Sequence, residues 1–219
     1  MDTALILNFL KDLQKNNNKE WMDAHRPQYE AARDAFKEIV SVLLGELTRF
    51  DEDLTGIVPK DCIFRINRDI RFSKDKTPYK INFGAAISEG GRHSPNADYY
   101  LHLQPYNESF VAGGMYMPAN EYLSKVRQEV DYNPEALKKI VTAPEFKKYF
   151  GEIQGEKLSR PPKGYEAEHP NVELLKLKSF IVLHKLTDEE VISENFIPET
   201  VRMFQVLQPF IRYLNVAIS

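Results

Sequence analysis

A chain of 219 residues with 42% hydrophobic and 28% charged residues has the length and balance of a soluble protein with a substantial core. A net charge of −3 excludes polyanion binding by bulk charge, and the single cysteine excludes an intrachain disulfide or a cysteine-rich zinc site. No apolar run approaches the ~20 residues that would span a bilayer, and residues 1–13, with Asp2, Lys11 and Asp12, do not resemble a signal peptide, so the expected setting is the cytoplasm with no membrane contact.

Thr3 is placed to cap a first helix whose Leu5, Ile6, Phe9, Leu10 and Leu13 share a stripe, and the run Asn16, Asn17, Asn18 ends it. Trp21 follows in a short connector. Pro27 then opens a long helix in which Tyr29, Ala32, Phe36, Ile39, Leu43, Leu47 and Phe50 recur at steps of three and four.

The densest cationic run lies at residues 60–88, KDCIFRINRDIRFSKDKTPYKINFGAAIS. Residues 60–80 hold seven basic and three acidic side chains, +4 in a chain whose remainder is −7. Alternation at 62–72 predicts a strand with Cys62, Phe64, Ile66, Ile70 and Phe72 on one face and Arg65, Asn67, Asp69 and Arg71 on the other. A second alternation after Pro78 puts Tyr79, Ile81, Phe83, Ala85 and Ile87 opposite Lys80, Asn82 and Gly84. Cys62 falls on the apolar face and reads as inert packing. Arg68 also falls on the apolar side, so it is expected to be buried and paired with a carboxylate or with carbonyls.

A polar loop follows to Ala97, and Tyr99, Leu101 and Leu103 then alternate with Tyr100, His102 and Gln104. Residues 109–117 read as the return strand of a hairpin, in which Gly113 and Gly114 signal a bulge or a close approach of another backbone or a ligand. From Pro118 helical patterns return, with a loop at 152–170, a brief β-like run at 180–183, and a helix from Pro198 to Ala217 that Pro209 is expected to kink or split. The reading is one α+β domain over residues 1–219: an antiparallel sheet of about four or five strands in the middle of the chain, packed by N-terminal and C-terminal helices.

The run RDIRFSKDKTPYK, with FRIN before it and INFGA after it, resembles the signature of a family of uncharacterised bacterial and fungal proteins, catalogued as a domain of unknown function. NNNKEW, YYLHLQP, GGMYMP, RPPKGYEAEHP and LLKLKSF extend the resemblance over nearly the whole chain. The resemblance implies a family and supplies no activity, cofactor or site residue.

The site must therefore be sought among the residues themselves. Arg65, Asn67, Asp69, Arg71, Lys80, Asn82, Tyr100 and His102 would line one polar sheet face as an anion pocket, because an arginine fork donates paired hydrogen bonds to phosphate or carboxylate. The bland alternative is a solvated face with cross-strand pairs such as Asp69 with Lys80. SKDKTPYK is either an exposed charged turn or a phosphate grip, but it has no P-loop glycines. The loop RPPKGYEAEHP either closes over the basic face or is a rigid connection packed by Tyr165. The five histidines are scattered without ligand spacing, no Gly-x-Ser-x-Gly elbow occurs, and no dinucleotide fingerprint occurs, so no metal, cofactor or reaction is assigned. The leading expectation is binding of an anionic ligand, a phosphorylated small molecule or nucleic acid. The alternative is an interaction module that docks an acidic protein through the basic strand and turn. Nothing in the sequence fixes the oligomeric state.

Overall fold

The computed structural model describes all 219 residues. Asp2, rather than Thr3, caps the first helix, its carboxylate accepting the Leu5 N–H at 2.8 Å. Helix α1 (Thr3–Lys15) turns Ile6, Leu7, Phe9, Leu10 and Leu13 inward. Trp21 is not in a connector: Asn18 caps a short helix, α2 (Lys19–Ala24), that contains it. Pro27 sits in the first turn of α3 (Arg26–Leu47), whose Ala32, Phe36, Ile39, Leu43 and Leu47 are buried at the predicted spacing.

After a 3-10 turn (Glu52–Leu54) and one helical turn, α4 (Pro59–Cys62), the structure departs from the expected strand at 62–72. Only two isolated bridges form there, Ile63 to Ala85 and Asn67 to Tyr79. The backbone finds other partners. Thr77 N–H donates to Asp75 Oδ1 at 2.9 Å and Lys76 Nζ donates to the Ile70 carbonyl at 2.9 Å, while the Arg68 N–H bond to the Pro78 carbonyl at 2.9 Å belongs to the Asn67–Tyr79 bridge. Asp and Thr side chains thus offer this segment an alternative to a sheet ladder. Residues 79–82 stay outside the sheet as well. The Asn17 amide accepts from Tyr79 N–H at 3.1 Å and donates to the Tyr79 carbonyl at 2.9 Å, occupying the positions a neighbouring strand would use.

The sheet has four antiparallel strands in the order β1 (Phe83–Ile87), β2 (Asp98–Leu103), β3 (Ser109–Met115) and β4 (Phe180–Leu186). Its register pairs Ala85 with Leu101 and Leu101 with Val111. One face therefore presents Phe83, Ala85, Tyr99, Leu101, Leu103, Val111 and Val182, all buried. Phe64, expected on this side, lies instead on the opposite face against Tyr100, 6.3 Å between ring centroids. Both sheet edges are shielded, by the bridge from Ile63 on β1 and by a bridge from Gln154 to Ile181 on β4.

Between β3 and β4 run α5 (Asn120–Tyr132), α6 (Pro134–Thr142), α7 (Pro144–Phe150) and α8 (Val172–Leu175), and α9 (Asp188–Ile192) follows β4. The terminal helix α10 (Phe196–Ile218) lies on the buried face, Phe204 meeting Tyr99 edge-on at 5.3 Å. Pro209 neither splits nor ends it. An interior proline costs ~3 kcal/mol, whereas ten buried side chains hold this helix, each large apolar one contributing ~1.5–3 kcal/mol. Gly113 and Gly114 mark a close approach, as the sequence suggests. Gly114, at φ 122°, has no room for a Cβ beside the Phe180 carbonyl, and a Cβ on Gly113 would lie 2.9 Å from Leu207 Cδ1 of α10. Forty-seven buried residues form one continuous cluster. No helix is long and apolar enough to cross a membrane.

Candidate functional site

Helices cover one sheet face only. Strand parity sends Gly84, Ala86, Asp98, Tyr100, His102, Phe110, Ala112, Ile181 and Leu183 to the other, above which lies a cavity of about 960 Å³. Phe64 and Lys80 form one wall, Arg92, His93 and Asn96 of the β1–β2 loop another, and Tyr116, Met117 and Tyr122 a third. The volume suits a small ligand, and the lining mixes aromatic rings with a few polar groups, as ligand sites do.

The floor is aromatic. His102 stacks on Phe110 with 4.4 Å between centroids and 11° between planes, and Tyr100 lies 5.7 Å from the same ring. Gly84 leaves space for the Tyr100 hydroxyl, since a Cβ there would sit 2.6 Å from it. His102 Nε2 lies 3.1 Å from Gln104 Oε1, while Nδ1 faces Asn82 Nδ2 at 3.4 Å and the Tyr100 hydroxyl at 3.5 Å. With the Gln104 oxygen as partner, Nε2 carries the hydrogen and Nδ1 accepts. Burial holds this imidazole below its ordinary value, so its neutral form is favoured. Burial first, and then the Asp98 charge, pushes the Tyr100 phenol up to about 12.

Two charged groups of the cavity lack partners. Lys80 Nζ stands 5.4 Å over the Phe64 ring, a cation–π contact, and no carboxylate pairs with it. Burial, and then the nearby Arg65 charge, lowers its pKa. Asp98 receives no protein hydrogen bond, and burial alone pushes its carboxyl up to about 7.

The eight residues picked from the sequence divide into two groups. Lys80, Tyr100 and His102 line the cavity, and Asn82 touches His102. Arg65, Asn67, Asp69 and Arg71 do not lie on a sheet face, because their segment is not a strand; all four are exposed. Asp69 does not pair with Lys80. It holds Arg71 instead, Nε at 2.9 Å and Nη2 at 2.7 Å, and the Arg71 contacts keep its carboxyl below its ordinary value. Arg68 is paired as expected, Nη1 donating to Asp75, to Thr77 Oγ1 and to the Thr77 carbonyl at 3.0 Å, but it is half-buried rather than sealed in the core. The Thr77 amide first, and then Arg68, holds the Asp75 carboxyl down at about 2.

The SKDKTPYK turn is closed by these internal bonds, and Lys74 and Lys76 are exposed outside the cavity. The 160–170 loop does not reach it either. Tyr165 packs on the core and meets His169 edge-on, and His169 Nε2 is 2.9 Å from Asp131 Oδ1 of α5. Cys62 is buried, its thiol pushed up to about 11 by burial, consistent with packing rather than reactivity. Sequence reasoning passed over Asp98, Phe64, Arg92 and Phe110. The signal for Asp98 was its parity: it stands two and four residues before Tyr100 and His102, on the same strand face.

A family model described as "Conserved hypothetical protein (DUF2461)" matches residues 5–213. Neither the curated proteins nor the solved structures contain a match to the chain. The matched span takes in every strand and every wall of the cavity, and the chain accordingly belongs to the DUF2461 family of conserved hypothetical proteins.

Proposed function

We propose that the protein is a binding domain for a small molecule bearing a phosphate or carboxylate, which enters the cavity above the open sheet face with its anionic group at Lys80. The observation that carries this reading is the partly desolvated Lys80 ammonium at the cavity wall with no carboxylate of the protein beside it. A cation in that position lacks its counter-ion until an anionic ligand supplies one. Arg65, exposed and within electrostatic range of Lys80, adds a second positive charge nearby. The Tyr100, His102 and Phe110 floor suits a flat or apolar ligand body. A walled cavity favours a phosphorylated metabolite or nucleotide over a nucleic-acid polymer, and Arg71, tied to Asp69, is no free phosphate contact. The proposed setting is the cytoplasm, supported by the one cysteine being a buried free thiol.

Thermal-shift screening of the purified chain against phosphorylated metabolites and nucleotides should return a stabilising ligand. Calorimetric titration should then show ~tenfold or weaker binding for Lys80→Met, the loss of a charge-assisted hydrogen bond, and unchanged binding for Arg71→Ala. Wild-type affinity in Lys80→Met would place the anion elsewhere.

A second reading rests on a separate observation. Phe72, 94% exposed, tips the cationic turn with the Arg71 guanidinium 5.8 Å from its ring. An uncovered aromatic ring on a turn with the exposed Lys74 and Lys76 favours docking of an acidic protein segment. A labelled acidic peptide containing leucines should bind wild type, lose affinity with added salt, and bind Phe72→Ser more weakly. Equal binding to both proteins would dismiss this reading.

A further inference from the structure

We infer that Asp98 is a second recognition group of the same cavity, and that the ligand is bipolar, with its anionic group at Lys80 and an N–H-donating nitrogen group, such as a protonated amine, at Asp98. The Lys80 half rests on the reading above; the Asp98 half stands on its own observations.

Asp98 opens β2 and shares its face with Tyr100 and His102. Its cross-strand partner is Gly114, which has no side chain, and the next residue outward on that face, Ile181, has no donor. No hydrogen bond reaches Asp98 from the polar side chains of the β1–β2 loop. Asn96 Nδ2 donates to Glu89 at 3.1 Å, and Arg92 Nη1 donates to the Lys60 carbonyl at 2.7 Å. The contrast is Asp51, a buried carboxylate that accepts the Tyr99 hydroxyl at 2.6 Å. Asp98 is a half-buried carboxyl lining the cavity with no protein donor, and an N–H donor on a ligand is the partner its chemistry calls for. Burial pushes its pKa to about 7, and a cationic ligand nitrogen beside it would favour the ionised form and supply the missing partner.

The spacing sets the ligand's shape. Asp98 and His102 lie four residues apart along one strand, or ~13 Å. Lys80, over Phe64, stands towards the Tyr100 and His102 end, where its charge acts on His102. Between the two ends lies the aromatic floor. The fitting class is therefore an extended, flat or apolar body with a nitrogen group at one end and an acid at the other.

Three probes separate the contributions: a biphenyl with an aminomethyl group at one end and a carboxylate at the other, its analogue lacking the amine, and its analogue lacking the carboxylate. Calorimetric titration of the full chain should find the bipolar probe ~tenfold or more tighter than either analogue. Asp98→Asn, nearly isosteric, should bring the bipolar probe down to the affinity of the amine-free acid and leave that acid unaffected; Asp98→Ala should do the same. Lys80→Met, which removes the ammonium and keeps a long unbranched side chain, should bring the bipolar probe down to the carboxylate-free amine. Circular dichroism checks that each variant is folded. Equal binding of the bipolar probe and the amine-free acid to wild type, or an amine preference surviving both Asp98 variants, overturns the assignment of Asp98. An amine preference lost with Asp98 but indifferent to Lys80→Met supports Asp98 and overturns the anion reading. Binding of none of the three probes at millimolar concentration overturns both.

Discussion

Burial without a donor makes the ionised form of Asp98 costly, and the effect on stability has a definite sign. The carboxyl titrates near 3.8 when unperturbed and at about 7 in the fold. Between those values the folded chain binds more protons than the unfolded one, so stability falls as pH rises from about 4 to about 7. Asp98→Asn should abolish that slope and raise the melting temperature at about pH 8 while changing little at about pH 4, measured by thermal denaturation across pH. An unchanged slope would show that Asp98 is not the titrating group. Tyr99→Phe acts in the opposite direction. It removes the hydroxyl that Asp51 accepts at 2.6 Å, leaving a buried carboxylate without that donor, and should cost ~1–3 kcal/mol in denaturant unfolding. Lys80, Tyr100 and His102 were legible as candidates because strand alternation names a face. Asp98 shares that face, yet aspartate is uncommon in strands, so it reads as the end of the loop before β2 rather than the first residue of the strand.

At the scale of elements, β3 and β4 approach so closely at Gly114 that no side chain fits. Gly114→Ala would collide with the Phe180 carbonyl in a backbone conformation that alanine avoids. It should destabilise by ~3 kcal/mol or prevent folding, seen as a lowered guanidinium midpoint; a wild-type midpoint would refute the packing described. The 68–77 turn is softer. Arg68 is partly exposed, so Arg68→Ala should cost ~1 kcal/mol and speed amide exchange at Thr77 without unfolding the sheet. The long helices and the central hairpin were legible because their apolar periodicity is sustained, whereas the α1 cap and the short α2 were not. The segment at 62–72 was not. It has the alternation of a strand, but Asp75, Thr77 and Lys76 satisfy the turn's own backbone, and the Asn17 side chain occupies the ladder positions of Tyr79. Periodicity reports which residues want burial and is silent on which group will satisfy each N–H.

For the whole molecule, the layering is asymmetric: helices seal one sheet face and leave a cavity on the other. That a polar face is left over is readable from strand parity. The walls of the cavity are not, because they come from segments around residues 64, 80, 92–96, 115–122 and 181–183, which only the tertiary fold brings together. The sealed face depends on α10, which meets β2 and β3 and buries ten side chains. Removing residues 196–219 should leave a chain without cooperative unfolding or dispersed amide resonances, whereas Phe72→Ser, at the exposed tip of the turn, should leave the melting temperature unchanged.

The position of α10 in the chain also sets a timetable. The hairpins of β1 to β3 are complete once residue 115 has been made, but the layer that covers them ends at residue 218. At ~5–20 residues per second, ribosomal synthesis leaves an interval of ~5–20 s in which Tyr99 lacks Phe204 and the Gly113 region of β3 lacks Leu207 and Ile211. Apolar surface exposed in such an interval is what holding chaperones bind and what drives aggregation between neighbouring chains. Nascent chains stalled before Phe196 should be cut readily by protease within β2 and β3, and those released after Ile218 should resist.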